Sequence, residues 1–429
     1  MGVRPFNPQL LLLGFLGFYS GLPLALTAST LTAWLADAKI DRAAIGLFAA
    51  VATPYALKFL WAPLIDGLHL PWLSRLGRRR SWLLLVQALL ALALIAMAHT
   101  QPEITPGLVA LMAVVIATLS ATQDIVIDAY RVELLAPEEQ GTGAAWATFG
   151  YRIGMLVSGA GALALADRFG WSSTYLLMAA VMASGMAVTL WARESPISVI
   201  PAEAGIHLSE ASQAKKWIPA SAGMTKFIRR YVLEPFAEFA TRPHWVWILA
   251  FVILYKLGDA FMGVMFNPFL LDLGFTKTQI AQIVKLYGLI ATILGTFAGG
   301  AMVARLGTYR ALIMGGLLHM ATNLLLVVQA QLGAEPNFLI LSIVTENFTG
   351  GMSTAAFIAY LSALCRRDYT ATQYALLSSL AAFGRTWLST PSGWLSLVLG
   401  WEWFFALASL MALPGLVLLH WLERKRRTY

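Results

Sequence analysis

The sequence predicts an all-α integral membrane protein with twelve transmembrane helices arranged as two six-helix pseudo-repeats. Three observations carry that expectation. The first is composition: 59% of the 429 residues are hydrophobic and only 12% charged, with a mean hydropathy of +0.70, whereas a soluble chain carries about 25% charged residues. The second is the apolar runs, which reach about 20 residues, enough to cross a bilayer as helix, with none of the alternation a barrel needs. The third is internal duplication. Arg75-Leu76-Gly77 returns as Arg305-Leu306-Gly307, Ala129-Tyr130 as Ala359-Tyr360, and Gly170-Trp171 as Gly400-Trp401, each pair 230 residues apart. Repeats at one constant offset mark alternating-access carriers, which hold substrate between their halves.

Hydropathy places the first six spans at about 9–34, 43–65, 81–99, 107–134, 142–166 and 171–192. The second six fall at about 244–271, 278–304, 311–331, 336–364, 371–398 and 401–422. The chain therefore divides into an N-terminal bundle (1–192), a linker (193–243) and a C-terminal bundle (244–429). With the N-terminus cytoplasmic, the clusters Arg78-Arg79-Arg80, Arg366-Arg367 and Arg424-Lys425-Arg426-Arg427 all fall on the cytoplasmic side. Lys39, Arg42, Arg168 and Lys277 are left for the other face. By the positive-inside rule both termini are cytoplasmic, and the net charge of +8 reports orientation rather than nucleic-acid binding. The linker holds its own small repeat, Ile200-Pro201-Ala202 and Ile218-Pro219-Ala220 with their following Ala-Gly, and reads as a loose insert. Downstream of it, 226–239 is expected to lie as an amphipathic helix against membrane lipid.

Among the charged residues inside predicted spans, nine form the functional shortlist: Lys58, Arg152, Lys256, Lys285 and Arg385, against Asp124, Asp128, Asp259 and Glu346. A carboxylate at the bilayer centre costs about 2.5–3.5 kcal/mol on insertion scales, so such groups face a bundle interior or a water-filled path. Asp124 and Asp128 are four residues apart, on one helix face, where like charges oppose each other's ionisation. They are candidates for a proton switch, with Glu346 as the acidic candidate of the second half. Helix pairing with neighbouring bases is the competing reading for both aspartates. Arg152 needs a carboxylate or phosphate partner, and Arg385 holds a similar place in the eleventh span. With Lys58 they make the interior slightly basic, which suits an anionic substrate. Gln123 and Tyr151 are the neutral candidates for substrate contact, Tyr151 through stacking on a sugar. Lys256 and Asp259, three apart, form a structural pair.

Two further features bear on movement. Ser20-Gly21-Leu22-Pro23 sits mid-span, where the proline frees a backbone carbonyl and, with Gly21, is expected to kink the helix. Asp66 at the end of the second span, followed by Gly77 and Arg78-Arg79-Arg80, can form a charged latch that gates one end. The matching loop of the second half lacks the acid, so the latch is asymmetric. Gly150, Gly154 and Ser158 form a ladder of small residues for close helix packing.

The same residues exclude other classes. One cysteine, Cys365, allows no internal disulfide, and the histidines, which fall near span ends and in the insert, have no metal spacing. No cofactor and no metal are expected, and no phosphate-binding loop supplies ATP-driven transport. A membrane-embedded transferase using the aspartates as acid and base remains a rival from another class. So does, within transport, a carrier of another organic anion such as an acyl-coenzyme A.

Taken together, Ser20 to Pro23, KFLWAPLID at 58–66, GRRRSWLL at 77–84, SATQDIVIDAYR at 120–131 and Phe149 to Arg152 resemble the muropeptide permeases of the AmpG type, in the major facilitator superfamily. Asp66 and Gly77 stand eleven apart as in that family, wider than in general facilitators. The resemblance covers most of both halves and omits the central insert. It implies the major facilitator fold in a bacterial inner membrane, with proton-driven symport of N-acetylglucosaminyl-1,6-anhydromuramyl peptides into the cytoplasm. It also implies a part in peptidoglycan recycling and β-lactamase induction. The expected partners are the muropeptide, protons and lipid, with no nucleic acid and no enzymatic activity.

Overall fold

The computed structural model describes residues 7–40, 48–68, 70–193 and 228–428. The first half contains α1 (Pro8–Thr27), α2 (Ser29–Asp37), α3 (Thr53–Leu57), α4 (Ala62–Gly67), α5 (Arg78–Ala98), α6 (Pro106–Leu134), α7 (Gln140–Leu156) and α8 (Ala162–Trp191). A short α9 (Glu234–Ala240) precedes α10 (Trp245–Leu254), α11 (Leu257–Asp272), α12 (Lys277–Gln282), α13 (Gly288–Leu306) and α14 (Thr308–Asn323). The chain closes with α15 (Leu325–Leu332), α16 (Pro336–Ala363), α17 (Thr370–Trp387), α18 (Ser392–Leu410) and α19 (Leu413–Thr428). Among the described residues eight helical stretches are long and apolar enough to cross a membrane, and nine if a pair bent by 101° counts as one.

Proline and glycine explain most of the breaks. Prolines sit at the first turn of α1, α6 and α16, where a missing N–H costs nothing. The second expected span, 43–65, is not one continuous helix. Its residues 43–47 lie outside the described segments, and the rest is split into a tight turn at Phe48–Ala52, α3, a second tight turn at Lys58–Leu60 and α4, because Pro54 and Pro63 each open a new helical piece. The 55-residue stretch Pro137–Trp191 would measure about 80 Å at 1.5 Å per residue, too long for one crossing. It turns at Gly170, whose φ of 78° and ψ of 165° are non-helical. Gly400 breaks α18 with nearly the same angles, 72° and 168°. Gly77 (91°, 167°) and Gly307 (77°, 162°) form a second matched pair, before α5 and α14. Both pairs are 230 residues apart, so the sequence repeat is also a backbone repeat at positions where φ is positive and glycine is favoured.

The amphipathic segment expected at 226–239 is described from Ile228: a wide turn over Ile228–Leu233 leads into α9, with Arg229 and Arg230 exposed. The insert's internal repeat lies outside the described residues. Four apolar clusters form the core. Two of them cross between halves: Ala371 and Ala375 pack with first-half residues, and Val132 packs with second-half residues. Both crossings lie at the end that carries the arginine-rich loop.

Candidate functional site

The site begins with a vacancy in helix α1. Pro23 has no N–H, so the carbonyl of Tyr19, four residues earlier, loses its helical donor. Gln123 of α6 fills that place: its Nε2 donates to the Tyr19 oxygen at 2.7 Å. Gln123 is fully buried, and its Oε1 has no hydrogen-bond partner among the described residues. Expected to face a ligand, it instead satisfies the carbonyl that Pro23 frees. Gly21 serves close approach rather than bending, because a Cβ there would collide with the Tyr151 backbone of α7. Helix α1 continues to Thr27, and its break comes at Ala28 (φ −117°, ψ −102°). Gly150 and Gly154 meet α1 in the same way, against Gly14 and Phe18.

One residue on from Tyr19 and from Gln123, Ser20 donates its hydroxyl to Asp124. A turn further along α6, Asp128 lies 3.9 Å from Lys58 and 3.7 Å from Arg131, with 28% of its side chain accessible. Asp124 and Asp128 are thus on one face, as their spacing requires: Ser20 hydrogen-bonds the first, Lys58 and Arg131 pair with the second, and Lys58 also acts electrostatically on Asp124. Arg152, expected to pair with one of them or with substrate, is exposed on α7. Tyr151 beside it is half-buried. Arg385 belongs to α17, and its side chain lies outside what the structure describes, as does that of Lys285.

Arg131 ends the run 120–131. It is buried and bridges the halves, with Nη1 donating to Gln140 at 3.1 Å and to Ser362 of α16 at 3.0 Å, and its guanidinium 5.2 Å from the Tyr374 ring centre of α17. Its place in the run 120–131 was the one sequence signal of this role.

The loop between α4 and α5 makes a second cross-half contact. Arg79 is fully buried, 2.8 Å from Asp66, and also binds Glu133 at the end of α6. Asp66 in turn accepts from the backbone N–H of Thr372 at 2.8 Å and of Ala371 at 3.3 Å, and from the Thr372 hydroxyl at 2.8 Å. Those N–H groups open α17, so a carboxylate of one half caps a helix of the other. Arg78 binds Glu133 at 3.2 Å and the Asp66 carbonyl. Arg80 instead ties α5 to α8 through the carbonyls of Thr189 and Leu190. Sequence reasoning missed Glu133 and Thr372, whose partners are distant in the chain. In the second half Tyr309 stands where the repeat puts Arg79, and its hydroxyl meets His420 Nδ1 at 2.8 Å.

Lys256 and Asp259 pair at 2.8 Å. They do not stand alone: the other Asp259 oxygen is 2.8 Å from Nε2 of His319. His319 is buried midway along the span Thr308–Leu332, not at a span end where sequence placed it. Glu346 of α16 accepts from Asn347 at 2.7 Å and faces His319, Asp259 and Lys256 electrostatically. A cavity of about 730 Å³ lies elsewhere, at the arginine-rich end of the second half, against Arg242, Tyr309, Arg310 and Lys425.

Two duplicated helical halves, tied at one end by a buried charge cluster and carrying paired acids within their spans, define a multi-pass membrane transporter rather than an enzyme. The chain belongs to the Major Facilitator Superfamily, whose profile matches residues 13–258 and 248–429, and within it to the AmpG-type transporters. It is 41% identical over 422 residues to the anhydromuropeptide permease of Escherichia coli K12, covering 96% of this chain and 79% of that one. It is 38% identical over 412 residues to putative transporter AmpG 4 of Rickettsia felis, covering 96% and 95%. Among solved structures, the proton:xylose symporter XylE superposes with a TM-score of 0.67 at 13% identity, over 95% of this chain and 93% of that one. The human organic anion transporter MFSD10 superposes with a TM-score of 0.62 at 16% identity, over 96% and 98%. These two likenesses concern the fold alone.

Proposed function

We propose that this chain imports anhydromuropeptides, N-acetylglucosaminyl-1,6-anhydromuramyl peptides, across a bacterial inner membrane for peptidoglycan recycling, driven by protons, with both termini cytoplasmic. The substrate class rests on 41% identity to an anhydromuropeptide permease. Proton coupling rests on one observation: Asp128, part-accessible within α6, holds Lys58 at 3.9 Å and Arg131 at 3.7 Å. Protonation of Asp128 removes its charge, which releases Lys58 to meet a substrate carboxylate and loosens Arg131, the residue that also reaches across to Ser362. Asp124, held by Ser20, is the second acid of the same switch. Lys58, Arg152 and Arg385 receive substrate carboxylates, and Tyr151 a sugar face. The bundles 1–192 and 244–429 rock about that site, joined by 193–243.

Proteoliposomes with an imposed pH gradient are expected to accumulate labelled anhydromuropeptide, with competition by unlabelled muropeptide and none by acyl-coenzyme A. Asp128→Asn is expected to cut gradient-driven accumulation by about tenfold or more while leaving substrate exchange intact. Wild-type uptake indifferent to the gradient refutes the coupling.

A further inference from the structure

The second half holds a group of titratable side chains that the Asp128 switch does not use. His319 Nε2 lies 2.8 Å from Asp259 Oδ1, and its Nδ1 lies 3.2 Å from the Thr349 hydroxyl. Asp259 Oδ2 accepts from Lys256 at 2.8 Å, and Lys256 also donates to Thr354 at 3.1 Å. The charged groups that face the imidazole are Asp259 and Lys256, at the start of α11, and Glu346 of α16. His319 is only 6% exposed, whereas 30% of the Asp259 side chain is accessible.

We infer that His319 is a second proton-binding site of the transporter, taking up its proton at Nδ1 on the Thr349 side while Asp259 holds Nε2, and electrostatically balanced by Glu346. The hydrogen-bond inventory allows both charge states without moving a heavy atom. An ionised Asp259 is acceptor-only, so Nε2 carries a proton in either state. Nδ1 faces a hydroxyl that rotates. Thr349 Oγ1 is also within reach of the Thr345 carbonyl at 3.0 Å, the Glu346 carbonyl at 3.1 Å and the Thr322 hydroxyl at 2.7 Å. When Thr349 donates to Nδ1 the ring is neutral. When Thr349 turns its hydrogen to a carbonyl, it accepts from a protonated Nδ1 and the ring is an imidazolium. Charge balance ties the state of the ring to that of Glu346. Lys256 already neutralises Asp259, so a neutral ring leaves one surplus negative charge on ionised Glu346, and a protonated ring cancels it. A purely structural His–Asp pair needs no such hydroxyl pivot and no second carboxylate. Histidine is also the side chain whose ordinary titration range brackets physiological pH.

The inference rests on proton-coupled transport, and the test separates the two. Wild-type protein in proteoliposomes first establishes gradient-driven accumulation, and its absence defeats the transport reading and this one together. With coupling established, His319→Gln, whose amide can still donate to Asp259, is expected to lower accumulation about tenfold and to keep exchange within about twofold of wild type. Accumulation equal to wild type overturns the proton site while leaving the coupling in place, and loss of exchange along with accumulation assigns His319 a structural role instead. A measurement on the unaltered chain does not depend on that variant folding. Nitrogen-15 spectra of histidine-labelled protein in vesicles are expected to show the ring passing from neutral to doubly protonated between about pH 8 and pH 5. Thr349→Val identifies the His319 resonance by displacing it. A ring fixed in one state across that range refutes the site.

Discussion

Pro23 and Gln123 show how two residues that look functional one at a time resolve into a single structural bargain. A proline in a membrane helix leaves a carbonyl that lipid cannot satisfy, and Gln123 meets it from α6 at 2.7 Å. The same contact sets the register between α1 and α6 that puts Ser20 against Asp124. Gln123→Leu keeps the volume but strands the Tyr19 carbonyl, and is expected to destabilise by about 1–3 kcal/mol, read from thermal unfolding in detergent. In a Pro23→Ala background the restored N–H can reach that carbonyl, so the cost of Gln123→Leu is expected to shrink by about 1 kcal/mol. Strict additivity of the two substitutions contradicts the pairing. Sequence displayed the freed carbonyl and the intramembrane glutamine, yet not their union. They stand 104 residues apart, and no local pattern records which helix supplies a donor.

At the scale of elements, glycine position separates contact from free surface. A Cβ on Gly150 would collide with the backbone of Gly14 and Phe18, where α7 lies against α1, whereas one on Gly107, at the start of α6, meets nothing. Gly150→Ala is therefore expected to wedge the two helices apart and cost about 1–3 kcal/mol. Gly107→Ala should leave stability unchanged to within about 1 kcal/mol. Melting temperatures of the two variants decide the matter, and equal values would mean the small-residue ladder is not a helix seam. That ladder was legible from its four-residue spacing, and so were the breaks at Gly170 and Gly400, because each recurs at the repeat offset. The fragmentation around Lys58 was not. Hydropathy averages over Pro54 and Pro63, which each begin a new piece of helix, so a single span was expected where α3 and α4 lie. The histidine of α14 escaped for a related reason: hydropathy places a residue along a span, but its partner Asp259 comes from another helix.

At the scale of the whole molecule, the arginine-rich end is where the halves are joined. Apolar contacts at Val132, Ala371 and Ala375 exclude water there, and within that dry layer Arg79 binds both Asp66 and Glu133. Asp66 carries the connection across, since its oxygens take the first N–H groups of α17. Arg131 makes the second crossing, and it touches Asp128 as well as the opposite half. A change of charge at Asp128 therefore acts on a tie between the bundles, whereas Asp66 holds them together without contact to the acid pair. Substituting Asp66 tests the tie without touching the proposed proton switch. Asp66→Asn keeps the shape, halves the attraction on Arg79 and replaces one carboxylate oxygen with an amide nitrogen facing N–H donors. Loss of one partner from a buried hydrogen-bonded charge pair costs roughly 2–5 kcal/mol, which lowers the ratio of closed to open forms at this end about thirtyfold or more. Spin labels on the outer faces of α5 and α17 are expected to report a population at longer distance in Asp66→Asn, with substrate exchange still detectable. A distance distribution identical to that of wild type means the capped end of α17 does not hold this side shut, and the apolar contacts alone do.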